Sequence, residues 1–398
     1  MSKLVRLLRS FIKSCVIALY HVFTILLPVQ CKVIVFGSNL GRNYSGNPKC
    51  IYENMLDRGL DKSYKLIWFM ENTSVSIPGQ VRIVRYGRIR YLYYMAIAKV
   101  WVFDCRQPKF LVKRKGVTYI QTWHGTPLKK LALDMKDVSM AEGKDIYTYK
   151  KDFYDNAQTW DYLISQNSYS TGIFRRAFAF QKTMLEVGYP RNDILINQNT
   201  GDAIASMKAN LGLPKDRKVI LYAPTWRDDE FYCQGSYKFN PHLDFKMLMD
   251  QLKEDYICIV KYHYLIQDKI DWSSYKDFIY VFDNSYDIAS LYLVSDILIT
   301  DYSSVMFDYS LLKRPMFFYA YDLEKYKDTL RGFYFDFMNE VPGPISMTTE
   351  QLIHDISDYD SKYFDEKYEA FSLKYNHRDD GQASTKVVDV ILKDMIPG

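Results

Sequence analysis

At 398 residues, with 48% hydrophobic and 25% charged side chains, the chain is too long for one ordinary core and fits two domains of roughly 150–200 residues. That composition excludes a disordered or low-complexity protein. The net charge is only +5 but is unevenly spread: residues 1–52 carry Lys3, Arg6, Arg9, Lys13, Lys32, Arg42 and Lys49 and no acid, and Arg82 to Lys115 holds ten Lys or Arg against Asp104 alone.

Charge of one sign in the first third points to an anionic partner surface. The six cysteines, Cys15, Cys31, Cys50, Cys105, Cys233 and Cys258, form no CxxC pair and no metal-ligand spacing, which suits a reducing, cytosol-facing compartment.

The N-terminus reads "MSKLVRLLRSFIKS" followed by an apolar run from Cys15 to Gln30, interrupted by His21 and ended near Pro28. That run is short of the roughly 20 residues needed to cross a bilayer. No small-x-small cleavage site follows it, so a signal peptide is disfavoured. Leu4, Val5, Leu7, Leu8, Phe11 and Ile12 share one helical face flanked by Lys and Arg. A basic amphipathic helix lying on an anionic inner leaflet fits this pattern best. An ordinary first helix packed on the core is the competing reading.

Further along, short β-rich runs alternate with helical patterns. The runs are Val33–Ser38, Tyr64–Met70, Arg82–Arg85, Val100–Cys105, Val117–His124, Tyr162–Ser165 and Met184–Gly188; helices are expected at Pro48–Arg58, Arg88–Ala98 and Ser168–Phe178. The block Arg85–Trp101 mixes arginines with Tyr86, Tyr91, Tyr93 and Tyr94; a nucleic-acid surface, a membrane interface and a core-facing helix all fit, and the membrane is favoured. A turn-rich stretch, Gly188–Pro214, reads as a linker. The alternation then resumes: strands Lys218–Trp226, Tyr256–His263, Phe278–Phe282, Asp296–Asp301 and Pro315–Tyr321, with helices Asp244–Lys253, Tyr286–Ser295 and Ser303–Leu312. This predicts two doubly wound, Rossmann-type α/β domains with the active site in the cleft between them.

In such folds ligands sit at the carboxyl ends of the strands. "QTWHGTPLKK" (121–130) places His124 at one such end, before Gly125, Thr126 and Pro127. In the second half, Thr225 and Arg227 follow one strand, Lys261 and His263 another, and "DILITDYSS" ends a third in Asp301 with Ser303 and Ser304 opening a helix. Hydroxyls, cations and a helix N-terminus converging at three strand ends suit a diphosphate. Asp301 reads equally well as a simple N-cap. No GxxxxGK[ST] is present, and "FGSNLGRNYSG" lacks the GxGxxG spacing. The pairs Asp228–Asp229 and Asp379–Asp380 read as solvated rather than metal-binding.

"WHGTPLK" (123–129), "GYPRND" (188–193), "YAPTWR" (222–227), "KYH" (261–263), "SDILITDYSSVMFDY" (295–309), "RPMFFYAYDLEKY" (314–326) and "RGFYFD" (331–336) together resemble the CDP-glycerol glycerophosphotransferase family of teichoic acid and capsule synthesis, in the family's order over nearly all of the chain after residue 32. The resemblance implies a GT-B-like fold. Its parts would be a membrane-associating segment (1–30), an N-terminal acceptor domain (31–205), a C-terminal CDP-polyol domain (206–385) and a tail (386–398). It implies transfer of glycerol phosphate from CDP-glycerol to a hydroxyl of a polyprenyl-diphosphate-linked saccharide or growing polymer, at the cytoplasmic face of the membrane, with release of CMP. His124 would be the catalytic base. Arg191, Lys261, His263 and Arg331 would neutralise the diphosphate, and Asp301 would orient His263 or Arg331. Ser303 and Ser304 would hold the oxygens of the leaving CMP, Thr225 and Trp226 would line the donor pocket, and Trp123, Gly125, Thr126, Pro127, Arg227, Thr300 and Tyr302 would be further substrate-binding residues. No cofactor, metal or nucleic acid is implied, and the oligomeric state, including a homo-oligomer, is left open. CDP-ribitol as donor, a GT-B sugar transferase and a non-catalytic membrane-bound binding protein are the alternatives. The length of about one catalytic module favours addition of few units over polymerisation.

Overall fold

The computed structural model describes residues 3–136, 145–225, 231–233, 236–237, 242–261, 271–283, 286–325 and 332–395. The first sheet contains β1 (Gln30–Gly37), β2 (Lys65–Met70), β3 (Val81–Arg85), β4 (Ala98–Phe103), β5 (Thr118–Gln121), β6 (Tyr162–Ser165) and β7 (Thr183–Glu186). Their order is β3-β2-β1-β4-β5-β6-β7, every pairing parallel. After β8 (Lys218–Tyr222) a small antiparallel pair, β9 (Phe231–Cys233) and β10 (Ser236–Tyr237), precedes β11 (Tyr256–Val260), β12 (Ile279–Val281), β13 (Ile297–Thr300), β14 (Met316–Tyr319) and β15 (Ile345–Ser346). The second sheet runs β12-β11-β8-β13-β14-β15, again all parallel. Both sheets therefore share the doubly wound 3-2-1-4-5-6 order, the first adding a strand at its far edge.

The local causes are plain. β11, β13 and β14 are buried at every residue, as strands covered by helices on both faces must be, and they are correspondingly apolar. Asp145, Asn167, Thr200, Asp244, Asp287 and Thr348 each accept a first-turn N–H and start a helix.

Several expectations are revised. The stretch read as a linker folds into a 3-10 turn at Pro190–Asn192 and helices Asp193–Asn197 and Gly201–Asn210, the last capped by Thr200. Most of the residues read as a tail, 386–398, belong to the helix Ala383–Met395, whose Val387, Val388, Ile391 and Met395 are buried in one cluster with Ile34, Phe36 and Trp68 of the first sheet. The chain thus crosses from the second domain, where the helix Ser361–Tyr375 packs, back to the first. In the basic aromatic block Tyr91 and Tyr94 face the core, not a membrane: both are buried, Tyr91 donating to Gln107 Oε1 at 3.1 Å and Tyr94 Oη accepting from Arg82 at 2.6 Å.

The N-terminal segment is one helix, Lys3–Leu26. Its Tyr20 is fully buried and donates to the Val112 carbonyl at 2.9 Å, and Phe23 meets Tyr93 edge-on at 6.1 Å. Phe11, Ile12, Val22, Ile25 and Leu26 of the same helix remain exposed. No helix among the described residues is long and apolar enough to cross a membrane.

Because the last helix completes the first core, Ile391→Ala is expected to destabilise the protein by about 2–5 kcal/mol, the usual range for truncating a buried aliphatic side chain. Denaturant unfolding measures it; a change within about 0.5 kcal/mol would contradict the assignment of this helix to the core.

Candidate active site

The site begins at the end of β5. Trp123 adopts a left-handed backbone, φ +52°, which is uncommon for a bulky residue and costs on the order of 1–3 kcal/mol. What holds it is local: the Gln121 side chain accepts the Trp123 N–H at 3.0 Å, and the Asn47 amide donates to the Thr122 and Trp123 carbonyls at 3.2 and 3.1 Å. Trp123 also packs against Phe178 at 4.7 Å and Phe174 at 5.8 Å. The strand read as Val117–His124 therefore stops at Gln121, and the kink turns His124 into the cleft.

His124 stacks on the Trp123 ring, centroids 4.5 Å apart, and its Nδ1 lies 3.2 Å from the Asp104 carbonyl. A carbonyl can only accept, so Nδ1 carries the proton and Nε2 is left with its lone pair. Although one edge is open to solvent, the ring is surrounded by enough protein that withdrawal from water lowers its pKa; Asp104 opposes this and Arg191 adds to it. His124 is held neutral.

Asp104, a buried acid at the end of β4, receives Ser38 Oγ at 2.6 Å and the Asn39 N–H at 2.9 Å. Burial raises its pKa, while Ser38 and His124 pull the other way.

Arg191 lies beside this loop. Its Nη1 donates to the His124 carbonyl at 2.6 Å, its backbone N–H to Asn47 Oδ1 at 3.1 Å, and its Nη2 pairs with Asp308 of the second domain. Burial is the largest influence on both partners. It raises Asp308 in spite of Arg191, whereas Arg191 ends above its usual value because Asp308, Tyr292, Tyr189 and Asp287 together outweigh burial. The two directions disagree about the pair. We take it as ionic, since a guanidinium does not deprotonate and Asn192 Nδ2 supports Asp308 from the other side at 3.0 Å.

Opposite His124 stand the second domain's residues. A Cβ added at Gly125 would fall 3.0 Å from Ser304 Oγ, so glycine lets the two domains meet. A cavity of about 290 Å³ opens there, lined by His124, Gly125, Thr126, Lys129, Thr225, Ser303 and Ser304 among others. Segment 128–130 pairs with 332–334 across the cleft, Lys130 N–H to the Gly332 carbonyl at 3.2 Å and Tyr334 N–H to the Leu128 carbonyl at 2.8 Å.

Of the expected site residues, Trp123, Gly125, Thr126, Pro127, Thr225, Tyr302, Ser303 and Ser304 line this cavity with His124. Others are placed differently. Lys261 extends to the carbonyls of Phe282, Asp283 and Tyr286, and burial lowers its pKa. Thr300 is buried and donates to the Ala223 carbonyl at 2.8 Å. Asp301 receives the Thr225 N–H at 2.8 Å, and Tyr302 donates to Asp322 at 2.9 Å. Trp226, Arg227, His263, Arg331 and the pair Asp228–Asp229 lie outside the described residues. Asp379, read as solvated, receives Gln166 Nε2 at 2.9 Å and the Tyr189 N–H at 3.2 Å. The sequence reading missed Asp104, Ser38, Asn47, Gln166 and Asp308. Asp104 carried a usable signal, an acid ending a β-rich run as Asp301 does. Among the described residues no group of three or more His, Cys, Asp or Glu is placed to hold a metal.

Two Rossmann-type domains facing each other across a polar cleft make a GT-B-like fold, with its ligand crevice at the carboxyl ends of the strands. Residues 19–393 match the model of the CDP-Glycerol:Poly(glycerophosphate) glycerophosphotransferase family, and the chain belongs to that family of CDP-glycerol glycerophosphotransferases. It is 47% identical over 386 residues to the teichoic acid poly(glycerol phosphate) polymerase of Bacillus spizizenii, covering 96% of this chain and 98% of that one. The polymerase of the same description from Bacillus subtilis is 46% identical over 92% of this chain, which spans about half (49%) of that relative's length. The solved structure of the wall teichoic acid polymerase TagF superposes with a TM-score of 0.90 at 42% identity, covering 99% of this chain and 97% of the other.

Replacing Asp308 with alanine leaves the Arg191 charge buried without its partner and is expected to cost about 3–5 kcal/mol. Chemical unfolding of Asp308→Ala reads it directly, and an unchanged midpoint would show that the pair does not hold the domains.

Proposed function

We propose that the chain transfers glycerol phosphate from CDP-glycerol to a hydroxyl of a polyprenyl-diphosphate-linked teichoic acid or capsule precursor at the cytoplasmic face of the membrane. The observation that carries this reading is the neutral His124, its Nδ1 committed to the Asp104 carbonyl, in a cavity shared with the second domain's Ser303 and Ser304. Nε2 accepts the proton of the acceptor hydroxyl as that oxygen bonds to the phosphorus bearing glycerol. The P–O bond to the CMP phosphate breaks, and its electron pair leaves with CMP. Phosphoryl transfer depends on positioning and charge stabilisation more than on covalent help. Ser303, Ser304 and Thr225 supply hydroxyls to the donor, and Gly125 lets its phosphates approach the backbone.

The membrane assignment is supported by the helix Lys3–Leu26, anchored through Tyr20 and Phe23 while Phe11, Ile12, Ile25 and Leu26 stay exposed in a segment without acids. Chain length does not distinguish few additions from many, since a relative described as a polymerase is matched over 98% of its own length.

CMP release from CDP-glycerol, with CDP-ribitol in parallel, tests the reaction in the presence of a lipid-diphosphate disaccharide acceptor. His124→Ala is expected to slow acceptor-dependent release by about 10²–10⁴-fold while CDP-glycerol still binds. Turnover from neither donor by a well-folded wild type would refute the reading.

The pH profile follows from the depressed pKa of His124. A base must be unprotonated, so kcat/KM rises with pH through a midpoint below the ordinary value of about 6.5. A midpoint above that value would mean the ring is not the desolvated base described here.

A further inference from the structure

Thr126 lies in the cavity wall, and its hydroxyl does not point there freely: Oγ1 donates to Gln166 Oε1. The other end of that amide, Nε2, donates to Asp379 Oδ2 at 2.9 Å. Asp379 sits where the chain crosses between the domains, after the helix Ser361–Tyr375 and before Ala383–Met395. Gly188, with φ +84°, is packed so close that a Cβ there would lie 3.0 Å from Asp379 Oδ1. The same oxygen receives the Tyr189 N–H at 3.2 Å and Asn192 Nδ2 at 3.4 Å. This carboxyl therefore faces three donors, and a three-member chain runs from it to the cavity.

The hydrogen-bond chemistry of that chain has two settings. An ionised carboxylate only accepts, so Gln166 must turn its NH₂ toward Asp379 and its carbonyl toward Thr126. The Thr126 proton is then taken by Gln166, and the hydroxyl offers the cavity lone pairs alone. A protonated carboxyl donates instead. Gln166 turns over, its carbonyl accepts from Asp379 and its NH₂ donates to Thr126 Oγ1. The Thr126 proton is now released to donate into the cavity, toward an anionic oxygen.

We infer that Asp379 and Gln166 are positioning residues that set whether Thr126 donates to a phosphate oxygen of the bound nucleotide diphosphate. The inference rests on the reading of the cavity as the CDP-glycerol site. Burial pushes the Asp379 carboxyl up to about 7, against Gln166 and the Tyr189 N–H, with Asp308 raising it further. The other charged groups around it are engaged elsewhere: Arg191 pairs with Asp308, Arg378 with Glu186 at 3.0 Å, His377 lies 4.0 Å from Glu186, and Asp380 pairs with Lys386 at 2.6 Å. The setting therefore changes near neutrality, the donating form lying on the acid side.

The test is the dissociation constant of CDP-glycerol, measured calorimetrically between pH 6 and 8.5 without acceptor. Its diphosphate oxygens do not titrate in that range, and each protein is also measured with His124→Ala, so that only the pH dependence that persists without the cavity imidazole is counted. Wild type is expected to bind roughly tenfold more weakly at the alkaline end, the loss of one hydrogen bond to a charged group. Asp379→Asn presents a permanent N–H to Gln166 and is expected to hold the acid-side affinity throughout. Thr126→Val is expected to bind weakly and without pH dependence, and Thr126→Ser to keep the wild-type profile. A pH-dependent profile retained in Thr126→Val but lost in Asp379→Asn would show a long-range charge effect and overturn the relay. So would a flat wild-type profile, or one that survives Asp379→Asn. No binding by wild type at any pH would overturn the reading of the cavity itself.

Discussion

The arrangement depends on one side chain, Arg191. Its backbone N–H fixes Asn47, one arm of its guanidinium fixes the His124 carbonyl, and the other crosses the cleft to Asp308. Asn47 in turn holds the strained turn at Trp123 that aims His124. The sequence reading placed Arg191 on the diphosphate; in the structure it joins the His124 loop of one domain to Asp308 of the other. Pairing with Asp308 makes that role affordable in a buried place, because a lone guanidinium there would carry the full cost of desolvation.

Behind this pin the two domains repeat one device. In each sheet the first and fourth strands are neighbours, and it is there that helices leave for opposite faces and a crevice opens. In the first domain Asp104, just after β4, receives the Asn39 N–H from the loop after β1. In the second, Asp301, just after β13, receives the Thr225 N–H from the loop after β8. A carboxylate at this point ties the two loops that would otherwise spread apart. The repeat is invisible as sequence similarity, since what recurs is one acid type at one position in a topology.

That contrast explains what could be read from the chain. Alternating β-rich and helical runs carried the two-domain architecture, and the segments around His124 and "DYSS" carried the cleft. Strand ends were set too late: Val117–His124 stops at Gln121, because where a strand gives way to a turn is decided by tertiary hydrogen bonds such as those from Asn47. The final helix escaped notice since its apolar residues find their core some 350 positions back in the chain, beside Ile34 and Phe36. Tyr91 and Tyr94 misled for the complementary reason. Basic and aromatic residues at helical spacing look alike whether the aromatic face meets lipid or the protein's own core, and only packing separates the two. Lys261 and Thr300 occupy strand ends as expected, yet their polar atoms are taken by backbone carbonyls, a choice composition cannot reveal.

The electrostatics of His124 connect these structural facts to the proposed chemistry. Burial and Arg191 hold the ring below its ordinary pKa, and Asp104 holds it back from falling further. Withdrawal from water is the largest of these influences, while the charges of Asp104 and Arg191 act on the ring in opposite directions. A site of that kind is sensitive to any charge brought in. An anionic diphosphate entering the cavity favours the imidazolium, raising the affinity of Nε2 for a proton as the acceptor hydroxyl must give one up. A histidine that began at an ordinary pKa would be driven by the same anion toward being protonated before the acceptor arrived. In the proposed reaction the depressed starting value would leave the base free in the presence of the donor, so that the desolvation to which Trp123 contributes would serve the chemistry as well as the packing.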